Sequence, residues 1–247
     1  MQSNQVQFSV VSHAAWAPNL TTYQAWCAWA KAPFVITGDD EPAVAAMPSM
    51  LRRRAGFLGK MALEVAYQCM DGRKNIPAVF CSRHGDVGRA TELVSSLAQH
   101  EPLSPTQFGL AVHNASAGLF SIARHDLASH IAIAAGQSTI EHALIEACGL
   151  LADGAPAVLV VAYDNCLPAF YQAYLDCQEQ PHAWAWLIEP AREANRIRLN
   201  WSPAESAGAD RYDSMPRSLA VWKFYVSDEQ VYENNTPQRQ WRWSKHG

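Results

Sequence analysis

No two cysteines in this 247-residue sequence form a C-x-x-C pair; the closest two, Cys166 and Cys177, are eleven positions apart. That spacing excludes the usual zinc-site patterns, so no metal site is expected. The opening residues, Met1 to Ala17, carry no basic n-region and no long apolar h-region, so no signal peptide is expected. The six thiols, Cys27, Cys69, Cys81, Cys148, Cys166 and Cys177, then read as reduced thiols of a cytoplasmic protein. No run approaches 18 uninterrupted apolar residues, the length a membrane-spanning helix needs. Charge is scarce as well: Asp, Glu, Lys and Arg make up 17%, against roughly a quarter in ordinary globular domains. With 19 basic and 23 acidic residues the net charge is −4, which excludes the basic footprint of a general nucleic-acid binder. There is no internal repeat and no low-complexity segment.

What is abundant is apolar: 49% of the residues, including nine Trp. A chain of this length and composition buries a sizeable core and is no disordered tail. Few charges to coat a free surface, and many Trp, imply a large apolar interface with a partner.

Along the chain, Phe8–Val11 reads as a strand and leads into a segment with Trp16, Trp26 and Trp29. Phe57, Leu58, Met61, Ala62, Val65, Ala66 and Cys69 share a helical face, and Asp71-Gly72 ends that helix. Ala78–Cys81 reads as a buried strand, and Arg89–Gln99 as a helix with Leu93, Val94 and Leu97 inward. Phe108–His113 reads as a strand running directly into a helix through Ile122. Ile131–Ala134 is another strand. Ser138-Thr139-Ile140-Glu141 reads as a capping box opening a helix that Asp153-Gly154 stops. Ala157–Ala162 is the most apolar strand. The last third offers strands at Trp184–Ile188 and Arg196–Trp201, a polar loop over Ser202–Ser214, an apolar segment Leu219–Val226, and a polar tail carrying Trp241 and Trp243. Strand and helix alternating at this spacing predict a layered α/β fold with helices on the sheet faces.

The stretch with most chemical content is Phe108 to Ile122. A strand that breaks sharply at small residues into a helix places its apex side chain beside the free N–H groups of the helix N-terminus, where an oxyanion is stabilised. Here the sequence Leu103-Ser-Pro-Thr-Gln-Phe-Gly-Leu-Ala-Val-His-Asn-Ala-Ser-Ala-Gly118 resembles the nucleophile region of β-ketoacyl synthases. It is most similar to the short ketosynthase-like chain length factors of aryl polyene biosynthesis. Trp16-Ala-Pro18, Met47-Pro-Ser-Met-Leu-Arg-Arg-Arg54 and Phe80-Cys-Ser-Arg-His-Gly85 support the resemblance, which covers the chain to about Pro168.

The resemblance implies a thiolase-like layered fold, truncated in its second half: one ketoacyl-synthase-like domain over 1–247, with a first half over 1–168 and a partial second half over 169–247. It puts Ala115 at the position of the nucleophilic Cys, and the segments that supply the family's two catalytic His residues fall beyond the match. It therefore implies a non-catalytic subunit that pairs with an active ketosynthase as a heterodimer in polyketide or polyene synthesis. His113, Asn114, Ser116 and Phe120 would line the acyl tunnel or the subunit seam. The chain would hold no cofactor of its own, the acyl group arriving on the phosphopantetheine of an acyl carrier protein. Arg52, Arg53 and Arg54 would contact that carrier or the partner subunit, where the plain reading of a basic run is a solvated face.

Two other readings stand beside this one. With Ser116 rather than Ala115 at the apex, Asn114-Ala-Ser116-Ala-Gly118 is one substitution from the G-x-S-x-G elbow of α/β-hydrolases. Asp164 and His182 follow in the hydrolase order, which would make a thioester hydrolase or acyltransferase. A stand-alone carrier-docking module that neither reacts nor pairs is the third possibility. Cys81 and His84, three apart beyond a strand end, read as a core thiol and a loop residue rather than a catalytic pair.

Overall fold

The computed structural model describes residues 4–204 and 212–246. The strands are β1 (Gln5–Trp16), β2 (Ala78–Cys81), β3 (His130–Ile133), β4 (Val158–Asp164), β5 (His182–Pro190), β6 (Arg196–Pro203), β7 (Val231–Asn235) and β8 (Arg239–His246). They form one sheet in the order β3-β2-β4-β5-β1-β6-β8-β7. β3, β2 and β4 are mutually parallel, and every other neighbouring pair is antiparallel. The helices are α1 (Tyr23–Lys31), α2 (Ser49–Arg52), α3 (Phe57–Met70), α4 (Val87–Ala98), α5 (Pro105–Ala111), α6 (Ala115–Arg124), α7 (Thr139–Ala152) and α8 (Arg217–Val226).

The sheet is covered on both faces. α1, α7 and α8 build one core with Trp26, Trp29, Leu144 and Trp222; α3 and α6 build the other with Met61, Val65, Leu119 and Phe120. Strands buried on two sides read as unbroken apolar runs. β4 does so: Val158, Val160 and Ala162 face the first core, and Leu159, Val161 and Tyr163 the second. In β5 the two-residue period assigns Trp184 and Trp186 to the first core. Ala183 and Ala185 meet α3 on the other face, where small side chains let the helix approach.

The C-terminal third belongs to this sheet. Residues 182–246 supply four of the eight strands, with β5 at its centre. Leu219–Val226 lies in α8, which buries Leu219, Val221, Trp222 and Phe224, and the polar tail is the β7–β8 hairpin, in which Trp241 and Trp243 are buried. Seven of the nine Trp are fully buried; Trp16 is buried too, and Trp201 is half-buried. The tryptophans therefore fill the core rather than an interface. The expected loop over Ser202–Ser214 falls largely on residues 205–211, outside the described residues, and Ser202 and Pro203 end β6.

Three local expectations are corrected. Phe108–His113 is no strand: α5 covers it as far as Ala111, opened by Ser104, whose hydroxyl accepts from the Gln107 N–H, with Pro105 in the first turn. A short apolar run fits a strand or a helix, and the Ser-Pro start decides. α4 forms but buries none of its residues; Val94 and Leu97 are exposed because this helix packs on α5 and not on the sheet. The capping box at Ser138 is not made. The Ser138 hydroxyl accepts from Trp241 Nε1, and Glu141 turns inward to accept from Asn234.

Candidate functional site

The C-terminal ends of β3, β2 and β4 converge, and a crevice at the ends of parallel strands is where open α/β sheets place their chemistry. β3 ends at Ile133 and, within five residues, the chain enters α7. Gly136 makes that turn possible with φ +58, a left-handed conformation that side chains disfavour. Gln137 follows at the apex, in a short 3-10 turn spanning Gly136–Ser138. This is the strand-to-helix elbow that the sequence reading places at Ala115.

Gln137 Nε2 donates to Asp176 Oδ2 at 2.7 Å, and Arg83, just past β2, forks onto both oxygens of the same carboxylate. Burial alone would raise the Asp176 carboxyl. The hydrogen bonds and charge of Arg83, with the bond from Gln137, outweigh it and hold the group below its ordinary value. Asp164, at the end of β4, accepts from Ser82 Oγ at 2.9 Å and from the Arg83 N–H at 2.8 Å. His182 is fully buried, and desolvation lowers its pKa, which keeps the ring neutral. Its Nδ1 faces the Gln180 carbonyl at 2.8 Å and so carries the proton; Nε2, at 2.8 Å from Ser218 Oγ, accepts from that hydroxyl. Ser218 Oγ also lies 3.3 Å from Asp164 Oδ2, so one proton serves either partner but not both.

Between these groups is a cavity of about 40 Å³, room for a few waters and not for an acyl chain. Four atoms of its lining residues are buried without a hydrogen-bond partner: Gln137 Oε1, Arg83 Nε, His84 Nε2 and Arg217 Nη1. No thiol or activated hydroxyl stands at the elbow. Ser138 Oγ is engaged by Trp241, and Thr139 Oγ1 donates to the Gly136 carbonyl while accepting from the Ala135 N–H.

The residues proposed from the sequence lie next to this site rather than in it. Ala115 is the first residue of α6, half-buried, and follows a helix rather than a strand. Asn114 is the exposed N-cap of α6 and makes no side-chain cap. His113 reaches the edge strand, with Nε2 3.2 Å from the Ile133 carbonyl. Ser116 lies against Gly59. Phe120 is buried against Tyr67, Phe80 and the Arg124 guanidinium. Arg52 is spent on the Ala43 and Val44 carbonyls, whereas Arg53 and Arg54 are exposed with no side-chain partner among the described residues.

The hydrolase triad is not assembled: Asp164 is bonded to Ser82, Arg83 and Ser218, His182 to Gln180 and Ser218, and neither makes a hydrogen bond to Ser116. Cys81 is fully buried, its thiol pushed up by desolvation, and it makes no hydrogen bond to His84. The sequence reading missed Gln137, Asp176, Arg83 and Ser218. The signal for the first was present: Ile131-Ala-Ile-Ala-Ala-Gly-Gln-Ser-Thr is a strand breaking at small residues into a helix.

The family model described as beta-ketoacyl synthase, N-terminal domain, matches residues 26–244. No curated protein matches the sequence. Among solved structures, a chain of the ketosynthase (ApeO) in complex with its chain length factor (ApeC) from Xenorhabdus doucetiae is 26% identical. It superposes with a TM-score of 0.83, covering 97% of this chain and 99% of that one. A chain of the type II polyketide synthase acyl-carrier protein in complex with its ketosynthase, AntDE:AntF, gives 0.70 at 11% identity over 96% of this chain and 99% of that one. The ishigamide ketosynthase/chain length factor gives 0.62 at 17% identity over 80% and 68%. The sheet and its helices are therefore those of the thiolase-like ketosynthase fold. No helix among the described residues is long and apolar enough to cross a membrane.

Proposed function

The chain belongs to the β-ketoacyl synthase N-terminal domain family, and from that premise we propose that it is a non-condensing subunit, a chain length factor. The whole chain would act as one ketosynthase-like unit beside an active ketosynthase in the cytoplasm. One observation carries this reading: the elbow follows an unpaired edge strand and has an amide at its apex. β3 has no neighbour on its outer side among the described residues, and all four of its residues are half-buried. An open edge is a template for a strand from another chain. The elements beside it carry exposed apolar side chains, Val112, Ile122 and Leu127, the last 97% exposed. At the elbow, the Gln137 carboxamide has no lone pair able to attack a thioester. Loss of a nucleophile removes a covalent reaction rather than slowing it, at a cost on the order of 10⁶ in turnover where it has been measured.

Length control would follow from the side chains that this edge presents to the partner's acyl tunnel. Ile131 and Ile133 share one face of β3. Each added carbon unit must fit against such a wall or clash with it, at about 1–3 kcal/mol. Phe120, buried behind the sheet, is a poor candidate for that wall. The acyl group would arrive on a carrier protein contacted by Arg53 and Arg54, and this chain would need no cofactor of its own.

The test is co-expression with a ketosynthase from the same biosynthetic locus, with only this chain tagged. A 1:1 complex by mass, whose condensing activity vanishes when the partner's nucleophilic Cys is replaced, is the expected result. Elution as a well-behaved monomer overturns the reading.

A further inference from the structure

Ser218 and His182 make an arrangement that subunit pairing does not use. Ser218 is the second residue of α8, and its Oγ lies 2.8 Å from His182 Nε2. That ring is fully buried, and the Gln180 carbonyl, 2.8 Å from Nδ1, fixes the proton there and leaves Nε2 bare. A hydroxyl on an imidazole that a third group orients is the geometry of an activated serine nucleophile. Asp164 spends Oδ1 on Ser82 and the Arg83 N–H, and its Oδ2 faces Ser218 Oγ at 3.3 Å. Its charge favours the imidazolium that forms when the ring takes up a proton.

α8 supplies the remaining part. It is ten residues long, and its N-cap, Pro216, offers no side-chain cap. The first helical bond runs from the Ala220 N–H to the Pro216 carbonyl, so the Ser218 and Leu219 N–H groups have no partner within the helix. They adjoin the hydroxyl, where an attacked carbonyl develops negative charge. Ser218 also lines the elbow cavity, whose 40 Å³ accepts a two-carbon acyl group in place of waters and excludes a long one. His84 and Asn165 border both this cavity and a larger one of about 480 Å³, which leaves room for the alcohol part of an ester.

We propose that Ser218 and His182 hydrolyse short acyl esters, acetyl esters above all, a reaction separate from condensation and independent of the subunit reading. Ser218 Oγ bonds the carbonyl carbon, and its proton passes to His182 Nε2. The bond to the alcohol oxygen then breaks, and that oxygen takes the proton from Nε2. A water adds to the acetylated serine and gives its proton to Nε2; the bond to Oγ breaks, and Oγ recovers that proton. One water is consumed, and the alcohol and acetic acid leave.

The test is turnover of p-nitrophenyl acetate by the purified full-length chain, with acetyl groups mapped by peptide mass at short times. Where the chain is obtained only with its ketosynthase, the partner's nucleophilic Cys is replaced. The expected result is acetyl trapped on Ser218, with p-nitrophenyl hexanoate turned over at least about tenfold more slowly. Ser218→Ala and His182→Gln should each lower turnover about 100-fold or more. Ser218→Cys, close to isosteric, keeps a nucleophile and should still be acetylated at position 218, and a melt verifies the fold of each variant. Turnover should hold down to pH 6.5 and fall below it, because burial keeps the base neutral at its ordinary value, and Asp164→Asn should move that fall to lower pH. Turnover unchanged in folded Ser218→Ala, acetyl found only on lysines, or equal rates for acetate and hexanoate overturns the proposal.

Discussion

Gln137 and Arg83 share one carboxylate: the amide of the first and the guanidinium of the second both bond Asp176. Asp176 lies between β4 and β5, so a single side chain ties the elbow after β3 to the end of β2 and to the segment that follows β4. The elbow is held by electrostatics that other elements supply, and its stability depends on pH accordingly.

Asp176→Asn removes that tie. Asp176 titrates below its ordinary value of 3.8 in the fold. Its contribution is therefore fully present above that value and is lost as pH falls through the lower, folded one. The variant should melt about 3–10 °C below the parent near neutral pH, with the gap closing below about pH 4. Thermal melts across that range check it; a gap independent of pH would show that Asp176 acts by shape alone.

Glu141 gives the opposite sign. It is fully buried on the first turn of α7, and desolvation raises its pKa above 4.5 despite the bond from Asn234. The folded state then keeps a proton that the unfolded state releases, so stability falls as pH rises from 4.5 to the folded value. Glu141→Gln, neutral at every pH, should gain on the parent across that interval. Denaturant titrations at about pH 4 and about pH 7 measure the gain, and a constant difference would count against it.

Gly85 shows what a glycine holds open beside the site. Its φ is +67, and a Cβ there would lie 2.7 Å from His113 Nδ1. Gly85→Ala should cost about 2–3 kcal/mol, through backbone strain and displacement of His113 from the Ile133 carbonyl. Chemical denaturation reads the cost; a neutral substitution would mean that the turn adjusts freely.

The layered α/β architecture was legible because its signals are periodic and local. Ala78–Cys81 and the α3 face from Phe57 to Cys69 stand where patterning puts them. The elbow was misplaced because Phe108–Val112 is uniformly apolar and carries no period. The Ser104-Pro105 helix start outweighs it, and the true strand-to-helix turn at Gln137, 22 residues beyond Ala115, reads from the sequence as an ordinary capped helix. Asp176 and Ser218 had no sequence signal, since they meet the elbow only through the sheet order. The tryptophans misled for a related reason: composition counts rings, but only packing shows that Trp184, Trp186 and Trp222 face one another inside the molecule.

Phe120 and Ile122 lie two residues apart on α6 and should separate stability from assembly. Phe120 is 6% exposed and packs on Tyr67 and Phe80, whereas Ile122 is 60% exposed on α6, the helix that contacts β3. Phe120→Ala should therefore cost about 3–5 kcal/mol of folding stability, the usual result of emptying a buried aromatic site. Ile122→Asp should leave the melt of the isolated chain within about 0.5 kcal/mol, because an exposed position has little packing to lose. In the complex the order reverses. A carboxylate at the edge would be buried unpaired against a partner strand, which is far costlier than a lost methyl group. Ile122→Asp should abolish copurification with the ketosynthase while the chain stays folded. Normal pairing by Ile122→Asp, measured by mass on the same preparation, would move the interface away from β3.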